Sequence, residues 1–184
     1  MGNMNEEQME RNLDRINMWI GNCDQKASFL LAFLGVAATV FVTSDVVSKL
    51  KHLLVNPFIA FWKNNIGSFC FFKFVISICL VVGLVCIFIA VVYLLMCLMA
   101  KTDYSKFKQP GMKEKSRLFF GHIASMTYSE FCQDEYDQLN DLRSQAYINA
   151  CICDYKFKNY NIGLRLVLLA LPFLTLAFVL ILFV

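Results

Sequence analysis

The chain is poor in the residues that most enzymes work with. Two of its 184 residues are histidine and three are proline. It has no Gly-rich phosphate loop, no G-x-S-x-G turn to expose a nucleophile and no Cys/His cluster at metal-ligand spacing. We therefore expect no catalytic residues, no metal and no cofactor. Charge is scarce as well: 17% of residues are charged against 58% hydrophobic, and a net charge of +3 is too small to argue for duplex nucleic acid as a partner. The N-terminus lacks the form of a secretory signal, because Glu6, Glu7, Glu10 and Asp14 precede the first apolar run. Glu6 also stands where a myristoylation signal needs Ser or Thr. The cysteines read as structural: Cys70, Cys79, Cys86 and Cys97 lie in apolar sequence as small hydrophobes. Cys151 and Cys153 have the wrong spacing for a zinc knuckle and no histidine nearby.

What the chain has is hydrophobic length. Residues 67–100 carry one charge, Lys73, with no Pro, Asn or Asp and a single interior glycine, Gly83. About 20 such residues cross roughly 30 Å of hydrocarbon, and nothing in this run turns the chain back on itself. Residues 27–43 form a shorter apolar run, and no breaker separates it from the amphipathic stretch 5–26. One long helix is expected to cover both. In that stretch Met9, Leu13, Ile16, Ile20 and Cys23 follow a 4-3-4-3 spacing, the seam of a helix packed lengthwise on another, although any amphipathic helix shares the pattern. Residues 164–184 form a third run, with Arg165 at its mouth and Pro172 inside it. The proline removes one backbone bond and favours a kink.

The fold expected is all-α: an integral membrane protein with three transmembrane helices (27–43, 67–100, 164–184) and a cytosolic helical layer continuous with them. We read residues 1–184 as one domain. Its cytosolic parts are helix 5–26 and the helices of 101–163, and residues 44–66, interrupted by Pro57, form an outer interfacial segment. Nine Lys/Arg lie in 101–163 against three in 44–66, so the positive-inside rule puts 101–163 and the N-terminus in the cytosol and the C-terminus outside. Within 130–160, Cys132, Tyr136, Leu139, Ala146, Ala150, Cys153 and Phe157 recur at helical spacing, with Arg143 filling a seam position. The acidic residues Glu130, Asp134, Glu135, Asp137 and Asp141 spread around that helix and read as a solvated face.

The intramembrane charges, Lys73 and Arg165, sit near the ends of their runs, which argues against ion-coupled transport and for a passive pore or a membrane-disrupting assembly. Gly35 and Ala38 suit a close helix–helix contact. Thr39 and Thr43 either bond their own backbone or face a pore. At the mouth of the first run stand Asn22, Asp24 and Lys26. Asp24 and Lys26 either pair with Arg143, Asp154 or Lys156 or simply enter the headgroup region.

Three stretches carry a family resemblance: Arg15–Ser28 (RINMWIGNCDQKAS), Phe119-Phe120-Gly121-His122-Ile123 with Tyr128, and Asp141–Gln145 through Cys153–Phe157. Over residues 10–184 the chain resembles the Pycsar-effector transmembrane (PycTM-like) family of bacterial antiphage defence. The resemblance implies a small multi-pass protein of the bacterial inner membrane. A nucleotide or oligonucleotide made by a partner nucleotidyltransferase or cyclase controls whether it permeabilises that membrane, causing growth arrest or death. The sign of control stays open, activator or inhibitor. No appended cyclic-nucleotide-binding domain is discernible, so a ligand must meet the helices themselves.

Phosphates need Lys or Arg and bases need aromatic faces. The candidate ligand residues are therefore Arg11, Arg15, Lys113, Lys115 and Arg117, with Phe119, Phe120 and Tyr128. The same cations would equally hold anionic lipid headgroups. Expected partners are membrane lipid, further copies of the chain, since three helices enclose no useful pore, and the nucleotide signal. The alternative is a non-conducting adaptor whose cytosolic helices recruit a partner protein.

Overall fold

A computed structural model describes residues 5–43, 71–100, 107–133 and 136–181. These residues contain five helices and no strand: α1 (Glu6–Thr43), α2 (Phe71–Leu98), α3 (Phe120–Ser125), α4 (Tyr128–Phe131) and α5 (Gln138–Ile181). Three of them, α1, α2 and α5, are long and apolar enough to cross a membrane. The chain is an all-α membrane protein. The expected outer segment 44–66 lies outside the described residues.

Each long helix has a local reason to begin where it does. Asn5 caps α1 by accepting from Gln8 N (2.9 Å), while Gln8 Oε1 accepts from Asn5 N (3.3 Å), a reciprocal box that satisfies donors left orphaned at the first turn. Glu6 and Glu7 then oppose the positive end of the helix dipole. α1 continues unbroken for 38 residues, from the amphipathic stretch through the apolar run. Asp137 starts α5 by accepting from Asn140 N at 3.0 Å. α5 then runs 44 residues with Pro172 inside it. The missing proline N–H leaves the Leu168 carbonyl without its usual donor.

That capped start corrects several expectations. The helix begins at Gln138, so Cys132 and Tyr136 precede it rather than opening its seam. The buried face is set by Leu142, Ala146 and Cys153, Ile148 is buried on another side of the helix, and Arg143 is exposed. Asp141 is fully buried instead of solvated, because its Oδ2 accepts from the backbone N–H of Arg117 at 2.9 Å. Its Oδ1 has no hydrogen-bond partner among the described residues.

The chain folds as two compact units: residues 1–26 with 97–158, and residues 27–96 with 159–184. In the first, α1 and α5 are held in register by polar pairs. Glu10 accepts from Gln138 (3.3 Å), Asn17 accepts from Asn149 (2.8 Å) and Asp24 pairs with Lys156 (2.6 Å). The partners advance together along both helices, so the two stretches run parallel. On α1 the three recur every seven residues, each directly after a seam residue (Met9, Ile16, Cys23), as flanking positions of a coiled-coil seam do. Met9, Leu13, Ile16 and Ile20 are half-buried and Cys23 is buried.

In the second unit α2 and α5 pack antiparallel. Ile76, Cys79 and Leu80 meet Ala177, with Phe173 and Leu174 packed against them. Two glycines bring the backbones close: a Cβ at Gly163 would lie 2.9 Å from Leu94 Cγ and 3.3 Å from the Ala90 carbonyl, and one at Gly83 2.6 Å from Leu174 Cδ2. Small residues are what permit such approach between helices in lipid.

Candidate functional site

Lys156 is the most deeply buried cation among the described residues of the first unit. Its side chain is 6% exposed, and a buried ammonium is costly unless paired and hydrogen-bonded. Both conditions are met: Nζ donates to Asp24 Oδ1 at 2.6 Å and to the Cys97 carbonyl at 2.9 Å. Cys97 lies in the last turn of α2, so its carbonyl has no intrahelical donor and the negative end of the helix dipole faces the cation. Beside it the Cys23 and Cys97 sulfurs are 3.6 Å apart and buried. One lysine of α5 thereby fastens α1 and the end of α2. Asp24, 35% exposed, keeps an edge open to solvent.

A second cluster occupies the segment before α5. The Arg117 guanidinium donates to the carbonyls of Gln133 (2.9 Å) and Glu130 (3.0 Å) and lies 4.2 Å from the centre of the Tyr136 ring. Its backbone N–H is shared by Asp141 Oδ2 and the Tyr136 hydroxyl. Lys115 pairs with Glu130 at 3.1 Å, and Lys113 Nζ stands 4.9 Å from the centre of the Tyr136 ring. Thr127 and Glu130 form a capping box on α4. The Thr127 backbone N–H, then the Lys115 ammonium and the Thr127 hydroxyl, hold the Glu130 carboxyl down at about 2. This cluster pins an irregular segment with almost no apolar core of its own.

The two clusters sit in stretches that match a known family. A family profile for the Pycsar effector protein domain matches residues 8–183. The chain belongs to the Pycsar effector family. It is 31% identical over 165 residues to the Pycsar effector protein GmPycTM of Gulbenkiania mobilis, covering 87% of this chain and 84% of that one. No solved structure matches it significantly. Membership makes it an antiphage defence effector of the membrane.

The structure of this Pycsar effector distributes the residues singled out in the sequence. Asp24 and Lys156 are paired, whereas Asp154 pairs with Lys158 one turn along α5 at 2.7 Å. Asn22, Lys26 and Asp154, with Trp19, Cys153 and Phe157, line a groove of about 570 Å³ between α1 and α5. Arg11 pairs with Glu7, and Arg15 is exposed on α1. Arg117, Lys115 and Lys113 are engaged as described. The Phe119 and Phe120 rings lie 4.9 Å apart, and Tyr128 is 85% exposed. Thr39 donates to the Gly35 carbonyl at 2.9 Å, and Thr43 ends α1. Among the described residues Gly35 and Ala38 are exposed, and a Cβ at Gly35 would meet nothing within 4 Å. Sequence reasoning passed over the Cys97 carbonyl and Gly163; it met Trp19 only inside the stretch Arg15–Ser28 and read Phe157 as a seam position, and gave neither a binding role. The one signal for the carbonyl is its place in the last turn of a long apolar helix.

Proposed function

We propose that the chain oligomerises in the bacterial inner membrane and permeabilises it under the control of a nucleotide made by a partner nucleotidyltransferase or cyclase. The observation that carries this reading is the Lys156 fastening. It ties one group of α1 and one of α2 to a single buried cation of α5, so a small shift of α5 against α1 is felt by α2 as well. A device of this kind is bistable rather than continuously deformable, which suits gating. Family membership supplies the defence role and the class of signal. The N-terminus and residues 107–158 face the cytosol in this reading, in keeping with the charge asymmetry.

Oligomerisation is supported by the apolar half of α1. Phe29, Phe33 and Val36 are exposed there, on the helix that also exposes Ala32, Gly35 and Ala38. A second copy seats readily against small residues in lipid. The test is dye release from liposomes holding the purified protein, with each cyclic ribonucleotide monophosphate and with short oligonucleotides. Release that depends on the nucleotide, in either direction, supports the reading. Liposomes that stay sealed under every ligand overturn it in favour of a non-conducting adaptor. A thiol label at Glu130 reacting only from outside the cell would overturn the orientation.

A further inference from the structure

The groove between α1 and α5 has the chemistry of a small-ligand site, and it adjoins the Lys156 fastening. Trp19, Asn22 and Lys26 recur at spacings of three and four and therefore share one face of α1. Asp154 and Phe157 face them from α5. Two aromatic side chains, one of them Trp19 at 54% exposure, offer faces for a flat ring. Asn22 both donates and accepts hydrogen bonds. No described carboxylate pairs with Lys26, whereas the Asp154 carboxylate is held by Lys158. The volume, about 570 Å³, lies within the roughly 300–1,000 Å³ of small-molecule sites.

Charge selects among such ligands. Among the described lining residues the groove offers one ammonium without a carboxylate partner, Lys26, and one carboxylate, Asp154, already balanced by Lys158. A triphosphate or an oligonucleotide would bring several uncompensated charges, whereas a single phosphodiester would be matched. The cations of the Arg117 cluster, by contrast, already serve their own chain.

We propose that this groove binds a mononucleotide bearing one negative charge, its ring between Trp19 and Phe157 and its phosphate on Lys26, and that occupancy acts on the Asp24–Lys156–Cys97 fastening. This rests on the nucleotide-controlled reading above and gives it a place. The coupling is built into the sequence order. Asn22 and Lys26 bracket Cys23 and Asp24, and Asp154 and Phe157 bracket Lys156, so both helices show one face to the groove and another to the fastening. A ligand that alters the separation of α1 and α5 at the groove strains the 2.6 Å pair behind it.

The chain's two tryptophans are Trp19 and Trp62, so full-length Trp62→Phe protein in neutral-lipid nanodiscs leaves Trp19 as the reporter. It is titrated with the four 3′,5′-cyclic ribonucleotides and with ATP, and binding is measured in parallel by equilibrium dialysis. At least one cyclic nucleotide should quench Trp19 saturably and bind more tightly than ATP. Lys26→Gln should weaken that binding roughly 10- to 100-fold, the loss of one charge-assisted hydrogen bond. Asp24→Asn, which does not line the groove, should leave binding in place and diminish the nucleotide's effect on dye release. If dialysis shows a nucleotide bound while Trp19 is silent and Lys26→Gln binds as well as wild type, the groove is not the site, and nucleotide control survives. If Asp24→Asn responds to the nucleotide as wild type does, the coupling to the fastening is wrong. If phosphatidylglycerol nanodiscs quench Trp19 and exclude the nucleotides, the occupant is a lipid headgroup and the assignment falls. If no nucleotide binds by either measure, the assignment and nucleotide control fall together.

Discussion

The two units of this molecule join helices by opposite means. In residues 1–26 and 97–158, α1 and α5 share a half-buried apolar seam but take their register from polar pairs, ending in a lysine buried with its partners. In residues 27–96 and 159–184, α2 and α5 meet through glycine and alanine, with the backbones brought close at Gly83 and Gly163. The difference follows from the solvent each is built for. In water, burying the seam drives association and is non-directional, so polar partners must specify which residue sits opposite which. In hydrocarbon, apolar side chains gain little by leaving lipid, and close shape-matched packing supplies the attraction. Specificity lies in charge on one side and in the absence of side chains on the other.

The sharpest break of this comparison is at Lys156. Lys156→Ala leaves Asp24 and the Cys97 carbonyl without their donor, and we expect it to cost about 3 kcal/mol, at the low end for a buried pair because Asp24 keeps an exposed edge. Lys158→Ala removes a mostly exposed pair one turn apart and should cost no more than about 0.5 kcal/mol. Denaturation of the detergent-solubilised protein compares the two. A double change of Asp24 and Lys156 to Ala should cost less than the sum of the single changes. Equal, small losses from Lys156→Ala and Lys158→Ala would mean that the seam alone fixes the register.

The second break lies between glycines. Gly163→Val puts a Cβ 2.9 Å from Leu94 Cγ and near a backbone carbonyl, so overpacking should cost roughly 1–3 kcal/mol. A Cβ at Gly35 meets none of the described atoms within 4 Å, so Gly35→Val should leave subunit stability almost unchanged. Under the oligomeric reading it should instead reduce oligomer size on gel filtration. A Gly35→Val protein that unfolds as early as Gly163→Val would show that open space in one subunit is no guide to the packed state.

The same contrast explains what could be read from the sequence. The three long helices were legible because apolar runs of their length have few alternatives. The α1 seam was legible because Met9, Leu13, Ile16, Ile20 and Cys23 repeat locally. Asp24 stood out as a charge at the mouth of an apolar run, and Lys156 was, with Arg143, one of the two cations offered to it. Gly83 and Gly163 were not legible as contacts, since their meaning depends on the register of segments far apart in the chain, Gly83 with Leu174 and Gly163 with Leu94. Gly35 and Ala38 drew attention instead, being small and close together. Asp141 looked solvated because its role, accepting from the backbone of Arg117, is set by an irregular segment without periodicity. Arg117 looked free to bind phosphate for the same reason: the Tyr136 ring and the two carbonyls that hold it come from the loop before α5.

The smallest expected effect tests whether the Arg117–Glu130 segment belongs with the polar side of the comparison. Glu130 is held at about 2 against its ordinary 4.5, chiefly by the Thr127 backbone N–H and then by Lys115. The charged form is therefore favoured by folding. Its contribution is complete above pH 4.5, declines as the pH falls below that value, and is gone once the pH passes below about 2. Other carboxylates titrate in the same range, so wild type alone cannot isolate it. The difference in melting temperature between wild type and Glu130→Gln can, because the amide keeps the shape and carries no charge. That difference should be constant from pH 7 to 5 and shrink steadily between pH 4.5 and 2. Lys115→Met should reduce it without abolishing it, since the strongest partner is a backbone N–H that the substitution leaves in place. A difference that stays flat down to pH 2 would mean that Glu130 acts through its shape as a cap and that its charge contributes nothing to holding the segment.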